Sequence, residues 1–375
     1  MSKFKVEFTL KQHTPIIHFQ SEQSGATLRA TELKPKFDKF LIKYAFENKE
    51  KYSTYLIDKD KDAFDYKITI EQNISKSESI KDRDPLFFGN MGDGEDKEFK
   101  TNNSTFKIIF FSFKIELLDL IKNNFESFIA NTNFGTRQSK GYGSFYLNKD
   151  YEKSLVKHKC YKFTSNPNKY KEDIKILYSF MRQGINLPNR EGTRFYSKPS
   201  IFLYMKNQNI TWDKKAIKEK YFSTRLNEQK IKHIEADNCV NYSTNNKHLV
   251  RDLFGLSSEQ EWYTYRKARI LKENKEIDRF KSPITFKPIL SGDKKNIEVY
   301  FWADDTIEKI LNKEFLIKVD KKGDLKLSTP NKFNFDDFFN FTFNINLSKH
   351  IQSEYHNQSE YTTLSRIFNE IRGNK

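Results

Sequence analysis

The chain has 375 residues, enough for two domains, and its low hydrophobic fraction of 37% includes 35 Phe, 19 Tyr and 3 Trp, which disordered sequences lack. No stretch nears the roughly 18 consecutive apolar residues that cross a bilayer, so a membrane span is not expected. Because Cys160 and Cys239 are the only cysteines, a disulfide scaffold or cysteine zinc cluster is excluded, and we expect a cytoplasmic protein.

The net charge of +16 is concentrated in the second half of the chain. Residues 1–150 hold 24 basic and 22 acidic side chains, whereas residues 153–232 hold 19 basic and 6 acidic ones. Aromatic residues are interleaved there, as in Tyr161-Lys162-Phe163, a mixture that suits phosphate contact and base stacking. The composition favours nucleic-acid binding, while a generic solvated basic face and an anionic membrane surface stay open as alternatives.

The first 150 residues alternate between strand and helix patterns. Strict alternation predicts a strand over 4–10, and helical spacing predicts a helix over 34–46. The pattern continues with strands over 66–74 and 105–114, a helix around 117–128 and a short strand over 145–147. This order is βαββαβ, so we predict an RRM-like, ferredoxin-like domain over 1–150.

Residues 151–375 are predicted to form a second, basic α+β lobe. The expected elements are a helix from 174 to about 184, strands over 200–205, 284–290, 297–303, 314–319, 323–328 and 339–347, and a terminal helix over 359–372. The acidic pairs Asp304-Asp305 and Asp336-Asp337 are expected to start helices, where the dipole favours them. The predicted fold is therefore α+β with two ferredoxin-like lobes, the second irregular.

A glycine-rich basic loop, Phe134-Gly-Thr-Arg-Gln-Ser-Lys-Gly-Tyr-Gly-Ser-Phe145, separates the second predicted helix from the fourth strand. Glycines let backbone amides approach a phosphate, and Arg137 and Lys140 can neutralise its charge. The order of residues is not that of a P-loop or of GxGxxG. A helix C-cap at Gly135 followed by a tight turn is the alternative interpretation.

This loop, in this position, resembles the signature loop of the RAMP superfamily, the RNA-binding proteins of CRISPR effector complexes. Five further stretches are similar to elements of that superfamily: Thr14-Pro15-Ile16-Ile17-His18, Gly25-Ala-Thr-Leu-Arg29, the Leu-Phe-Gly-like 84–89 and 253–255, and Arg279-Phe-Lys-Ser-Pro-Ile284. Two lobes with the loop in the first look most like the capping subunit of type III complexes.

The resemblance implies a non-catalytic subunit that grips CRISPR RNA or its target through backbone phosphates, in antiviral defence, with other effector subunits as partners. By position, the implied RNA contacts are Arg29, Gly135, Arg137, Lys140, Gly141, Tyr142 and Gly143. Charge density adds Arg182, Arg190 and Arg194. Neither a membrane partner nor a cofactor is expected.

Catalysis is the principal alternative function. The superfamily's repeat-processing endoribonucleases use a histidine to activate the ribose 2′-hydroxyl, so His13 and His18 are candidates for a metal-independent endoribonuclease, although His18 is favoured as a buried structural residue. Asp93 lies in an acidic insertion over 89–96, which is either a catalytic loop or a solvated one. A third interpretation makes the chain a scaffold whose aromatic faces bind proteins.

Overall fold

The computed structural model describes residues 3–17, 27–57, 60–72, 76–79, 98–101, 105–147, 159–188, 194–223, 246–262, 265, 267–319 and 322–373. The chain divides into two compact units, each built from two segments. The first unit is Met1–Ile174 with Thr285–Trp302, and the second is Lys175–Ile284 with Ala303–Lys375. Both combine helices with small sheets, so the α+β class is confirmed.

Helices and three groups of strands make up the described part of the first unit. Its helices are α1 (Ala30–Tyr44), α2 (Lys49–Ser53) and α3 (Ile115–Ala130). Its strands are β1 (Lys5–Gln12), β2 (Ile16–Ile17), β3 (Lys67–Glu71), β4 (Lys76–Ser79), β5 (Glu98–Thr101), β6 (Phe106–Phe111), β7 (Phe145–Leu147) and β8 (Tyr161–Ser165), with β17 (Ile284–Leu290) and β18 (Ile297–Ala303) from late in the chain.

Four antiparallel strands in the order β3–β6–β1–β7 form the main sheet of this unit. In the central strand β6, Phe106, Ile108 and Phe110 are buried, because alternate side chains of a strand point to one face. That face packs on aromatic residues of the helices: the Phe37 and Phe128 rings are 4.8 Å apart, and Phe110 lies 5.0 Å from Phe125. The core of this unit is therefore largely aromatic.

The second unit is also mixed. Its helices are α4 (Tyr170–Arg182), whose first residues still belong to the first unit, α5 (Ser200–Lys206), α6 (Asp213–Tyr221), α7 (Phe335–Asn344), α8 (Leu347–His350) and α9 (Ser359–Gly373). Its strands are β9 (Ile185–Pro188), β10 (Arg194–Ser197), β11 (Thr211–Trp212), β12 (Lys247–His248), β13 (Leu256–Ser257), β14 (Glu259–Trp262), β15 (Ala268–Glu273), β16 (Arg279–Phe280), β19 (Glu314–Val319) and β20 (Lys322–Ser328). The strands β14–β15–β19–β20 form one antiparallel sheet in that order.

Two predicted strands of the second lobe are wrong, because both segments are helical. Residues 200–205 lie in α5, and most of 339–347 lies in α7. The phenylalanines of α7 alternate in sequence, but Phe335, Phe338 and Phe339 recur at helical spacing and are buried. The Asn334 side chain caps this helix by accepting a hydrogen bond from the amide of Asp337.

Both acidic pairs start helical turns, as predicted. Asp336 and Asp337 lie in the first turn of α7. Asp304 is the N-cap of a 3₁₀ turn over 305–309 and accepts a hydrogen bond from the amide of Thr306 at 3.0 Å. Carboxylates are favoured here because the first amides of a helix lack acceptors.

Candidate nucleic-acid interface

The glycine-rich loop connects α3 to β7 in the first unit. Gly135, Gly141 and Gly143 have φ values of 80°, 87° and 65°. A Cβ atom on Gly143 would lie 1.8 Å from the carbonyl oxygen of Phe134, and one on Gly135 would lie 2.6 Å from that of Ile17. At Gly135 and Gly143 the left-handed backbone and these close contacts strongly disfavour a side chain, so packing within the fold is sufficient to explain these two glycines.

Several amides of the loop already donate hydrogen bonds inside the unit, over 2.6 to 2.9 Å. The pairs are Gly135 to Glu32, Thr136 to Ile17, Lys140 to Arg137, Gly143 to Pro15 and Ser144 to Thr14. A phosphate could bind these amides only by displacing an existing acceptor. Contact with a ligand at these positions is therefore left to side chains.

Two side chains of α1 hold the loop in place. The Glu32 carboxylate accepts the Gly135 amide at 2.8 Å and pairs with the Lys36 ammonium at 2.6 Å. Lys36 also donates to the side chain of Gln138 at 2.7 Å. The sequence patterns identified neither residue, although their i, i+4 spacing on a helix is the usual signal of an ion pair.

Arg29 and Arg137 are close in sequence to the two residues of the Glu32–Gly135 contact. Arg29 is the N-cap residue of α1, three positions before Glu32, and Arg137 follows Gly135 by two positions. Both are half-buried, and Arg137 has a left-handed φ of 58°. The contact thus places two guanidinium-bearing residues near the amino end of α1, where the helix dipole also favours anions.

Lys140 and Tyr142 are buried within the first unit. Lys140 is 5% exposed, and its ammonium lies 6.0 Å from the centre of the Phe286 ring. Tyr142 is 1% exposed, and Lys171 covers its ring at 5.6 Å. The structure therefore brings both residues to the loop but inside the core, and RNA contact by them stays a prediction, as it does for the three glycines.

Lys287 is a buried cation beneath the loop that the sequence reading missed. Its ammonium donates to the carbonyl oxygens of Ile129, Thr132 and Phe145 at 2.8, 2.9 and 2.9 Å. Two of these carbonyls belong to the end of α3 and the turn after it, where helix carbonyls lack partners. Burial lowers the pKa of Lys287 well below its ordinary value. Three acceptors around one ammonium make this lysine a structural clamp.

His13 is held in a fixed orientation in the first unit. Its Nδ1 accepts the Leu290 amide at 2.8 Å, and its ring meets Tyr146 edge to face. Burial, with the nearby charges of Lys287 and Lys11, lowers the pKa of His13 to about 3. The imidazole is therefore neutral at pH 7, and its Nδ1 already accepts a hydrogen bond. The other candidates, His18 and Asp93, lie outside the described residues.

The arginines singled out by charge density fall in the second unit. Arg182 ends α4 and donates to the carbonyl oxygen of Gly255 at 3.0 Å, while Tyr178 on the same helix donates to that of Phe254 at 2.7 Å. These two bonds hold the 253–255 turn. Arg194 begins β10 and its side chain is outside the description, as is all of Arg190.

A buried ion cluster includes Asp252, which directly precedes the same turn. The Lys272 ammonium lies 2.5 Å from the Asp252 carboxylate and 3.4 Å from that of Asp213, and all three side chains are at most 1% exposed. The positive charges of Lys272 and Arg251 lower the pKa of Asp213 despite its burial, whereas burial raises that of Asp252. No sequence signal predicted this cluster, because its members are 20 or more positions apart.

The described part of the chain lacks both a metal-ligand cluster and a membrane-spanning helix. It contains no group of three or more His, Cys, Asp or Glu side chains placed to hold a metal ion. Among the same residues, every helix is too short or too polar to cross a bilayer.

Two protein-family models together match nearly the whole chain. The model of the Cmr1 N-terminal domain matches residues 3–185, and the model of the Cmr1 C-terminal domain matches residues 196–373. No curated protein matches the sequence.

Two solved structures show weak similarity to the chain. One is described as a cryo-EM structure of the Type III-B Cmr-beta bound to cognate target RNA. It aligns at a TM-score of 0.30 and 15% identity, and the alignment covers 39% of this chain and 59% of that chain. The other, apo Cmr1 from Pyrococcus furiosus, aligns at a TM-score of 0.30 and 11% identity over 80% of this chain and 88% of that one.

Proposed function

Because this chain belongs to the Cmr1 family, we propose that it is a subunit of a type III CRISPR ribonucleoprotein that grips guide or target RNA through its phosphates. The observation that carries the proposal is the match of both family domains, which together leave few residues unmatched. The regional excess of basic residues supports the same conclusion, since phosphate binding dominates RNA affinity. Its role would be in antiviral defence, with other effector subunits as partners, in the cytoplasm.

Within the first unit, we assign the phosphate contacts to Arg29 and Arg137. Their guanidinium groups can bind a phosphate through two parallel hydrogen bonds, and the amino end of α1 adds a favourable field. The glycines, Lys140 and Tyr142 would fix the path of the loop, and direct RNA contact by them stays a prediction. Arg190 and Arg194 are proposed as further contacts, and Arg182 as a residue that holds the 253–255 turn.

A non-catalytic role is proposed because His13 is poorly placed for chemistry. A general base must accept a proton on a nitrogen that the substrate can reach, yet Nδ1 of His13 accepts the Leu290 amide and the ring is largely enclosed. The endoribonuclease alternative therefore has no support from this residue. His18 and Asp93 remain open to a direct cleavage assay in EDTA.

The finer fold is also part of the proposal. We propose a ferredoxin-like domain over 1–150 and a basic second lobe over 151–375. The order β3–β6–β1–β7, with α1 and α3 in the connections, supports a ferredoxin-like arrangement of the first lobe. The irregular second lobe has no comparable support beyond its α+β composition.

The function is tested by titrating the full chain with single-stranded RNA at several salt concentrations. The logarithm of affinity should fall with the logarithm of salt at about −0.7 per phosphate neutralised. An Arg29→Ala/Arg137→Ala variant should weaken binding and flatten that slope by about 1.4, whereas Lys39→Ala, on the exposed face of α1, should change it by less than about 0.7. Absence of salt-dependent binding by the wild-type chain contradicts the proposal.

A further inference from the structure

Three large apolar side chains stand exposed on the described surface, and all belong to the first unit. Phe113 is 76% exposed, Ile57 64% and Ile115 38%. Scattered apolar residues are normal on a protein surface, but a contiguous exposed patch usually marks an interaction site. These residues therefore indicate an interaction site only where they belong to one continuous patch.

The Phe113 ring contacts two further aromatic rings, and a lysine hydrogen bond brings the 113–115 segment near Ile57. The Phe113 ring lies 5.0 Å from that of Phe111 and 5.6 Å from that of Phe4, both half-buried. Lys114, between Phe113 and Ile115, donates to the carbonyl oxygen of Leu56 at 3.5 Å, the residue before Ile57. We refer to Phe4, Ile57, Phe111, Phe113 and Ile115 as the apolar patch.

A groove of about 540 Å³ lies beside α3 and begins at Glu116, the residue after Ile115. Tyr55 marks the junction, because its hydroxyl donates to the Glu116 carboxylate at 3.1 Å, next to Ile115 in sequence. The groove is lined by Phe46, Lys51, Tyr55, Glu116, Asp119, Leu120 and Asn123. Its volume falls within the usual range of ligand clefts.

The charge of this groove is opposite to that of the chain as a whole. Glu116 and Asp119 are exposed, and the single lysine of the lining, Lys51, pairs with Glu47. On a protein of net charge +16, two exposed carboxylates beside an apolar surface repel RNA phosphates. The same combination attracts a polypeptide that carries a bulky apolar side chain next to lysine or arginine.

We propose that the apolar patch and the acidic groove dock such a basic, apolar segment from a neighbouring subunit of the effector complex. This inference rests on the proposed membership of that complex. Phe113 is the anchor, because a large aromatic side chain that becomes fully buried at an interface contributes most to binding. Glu116 and Asp119 select the partner through its positive charge.

The test is co-expression of the full chain with the effector subunits encoded beside it, followed by native mass spectrometry of the assembled complex. Phe113→Ser and Glu116→Lys/Asp119→Lys should each weaken incorporation about 30-fold, the effect of a hot-spot residue. Lys122→Ser, an exposed substitution on the same helix, should leave incorporation unchanged. Thermal unfolding of each variant checks that the fold is retained.

Three results would overturn the inference. The first is that Phe113→Ser and Glu116→Lys/Asp119→Lys are both incorporated as well as the wild type. The others are that Phe113→Ser loses RNA affinity while it is incorporated normally, or that the isolated chain forms a homodimer that Phe113→Ser dissociates. RNA titration of the isolated wild-type chain is measured in parallel. If that chain fails to bind RNA while assembly still depends on Phe113, the RNA function fails and the docking surface stands.

Discussion

The backbone amide of Leu290 donates a hydrogen bond to Nδ1 of His13 across 277 positions of sequence. This contact joins the strand β17 to the chain just after β1, within the first unit, and requires the imidazole to be neutral at Nδ1. A histidine that the sequence offered as a general base thus becomes part of the internal hydrogen bonding.

His13 makes stability depend on pH. Its pKa is about 3 in the folded protein and near 6.5 when unfolded, so the unfolded chain binds the extra proton between these values. The stabilising contribution is complete above pH 6.5 and decreases as the pH falls from 6.5 towards 3, by up to about 1.4 kcal/mol per pH unit. His13→Asn, which retains an acceptor, should show a shallower fall of unfolding free energy in urea titrations over pH 6.5 to 4. Equal slopes would contradict this assignment.

Replacing Lys287 by Met should destabilise the protein by about 3 kcal/mol or more. The substitution leaves three buried carbonyl oxygens without their shared donor, and each unsatisfied group costs about 1–3 kcal/mol. Urea unfolding of the full chain measures the loss. Lys275→Met, at an exposed position, is the control and should stay within about 0.5 kcal/mol of wild type.

Gly143→Ala should also be strongly destabilising, by more than about 2 kcal/mol, because its Cβ would overlap the Phe134 carbonyl oxygen and its φ of 65° is left-handed. Gly292→Ala offers a matched control, since nothing lies within 4 Å of its added Cβ. The midpoint of thermal unfolding distinguishes them. Similar midpoints for both variants would show that the loop can relax around the added methyl group.

The buried ion cluster predicts strong non-additivity. Lys272→Met alone should cost about 3–5 kcal/mol, because it leaves the carboxylates of Asp213 and Asp252 facing each other without their lysine. Adding Asp252→Asn removes one of these charges and should recover part of that loss. A double-mutant cycle by urea unfolding measures the coupling, and simple additivity of the two costs would contradict it.

Substitution of Arg182 should lower stability, whereas substitution of Arg137 should lower RNA affinity. Arg182→Ala removes the bond to the Gly255 carbonyl and should lower stability by about 1–3 kcal/mol without changing the salt dependence of RNA binding. Arg137→Ala is expected to weaken RNA binding with little loss of stability. Parallel filter-binding and thermal-unfolding measurements on both variants decide the matter, and a flattened salt slope for Arg182→Ala would return it to the RNA interface.

The amino-acid sequence by itself determined six elements of the first unit, β1, α1, β3, β6, α3 and β7. It also gave rise to the RAMP resemblance, which the Cmr1 family match confirms. Strand alternation in β1 and helical spacing in α1 and α3 are local patterns, so periodicity alone identifies them. In α7 the same reasoning failed because its phenylalanines satisfy both periods, and only packing and the Asn334 cap select the helix.

Only the tertiary structure determined which candidate residues are buried and which stay accessible to solvent. Burial of Lys140 and Tyr142, the clamp of Lys287 and the cluster around Lys272 depend on residues up to 158 positions apart in sequence. A sequence shows which charges a chain carries, but not which of them the fold removes from water. Arg29 and Arg137 stay partly accessible to solvent, whereas Lys140, Lys272 and Lys287 are buried inside the protein.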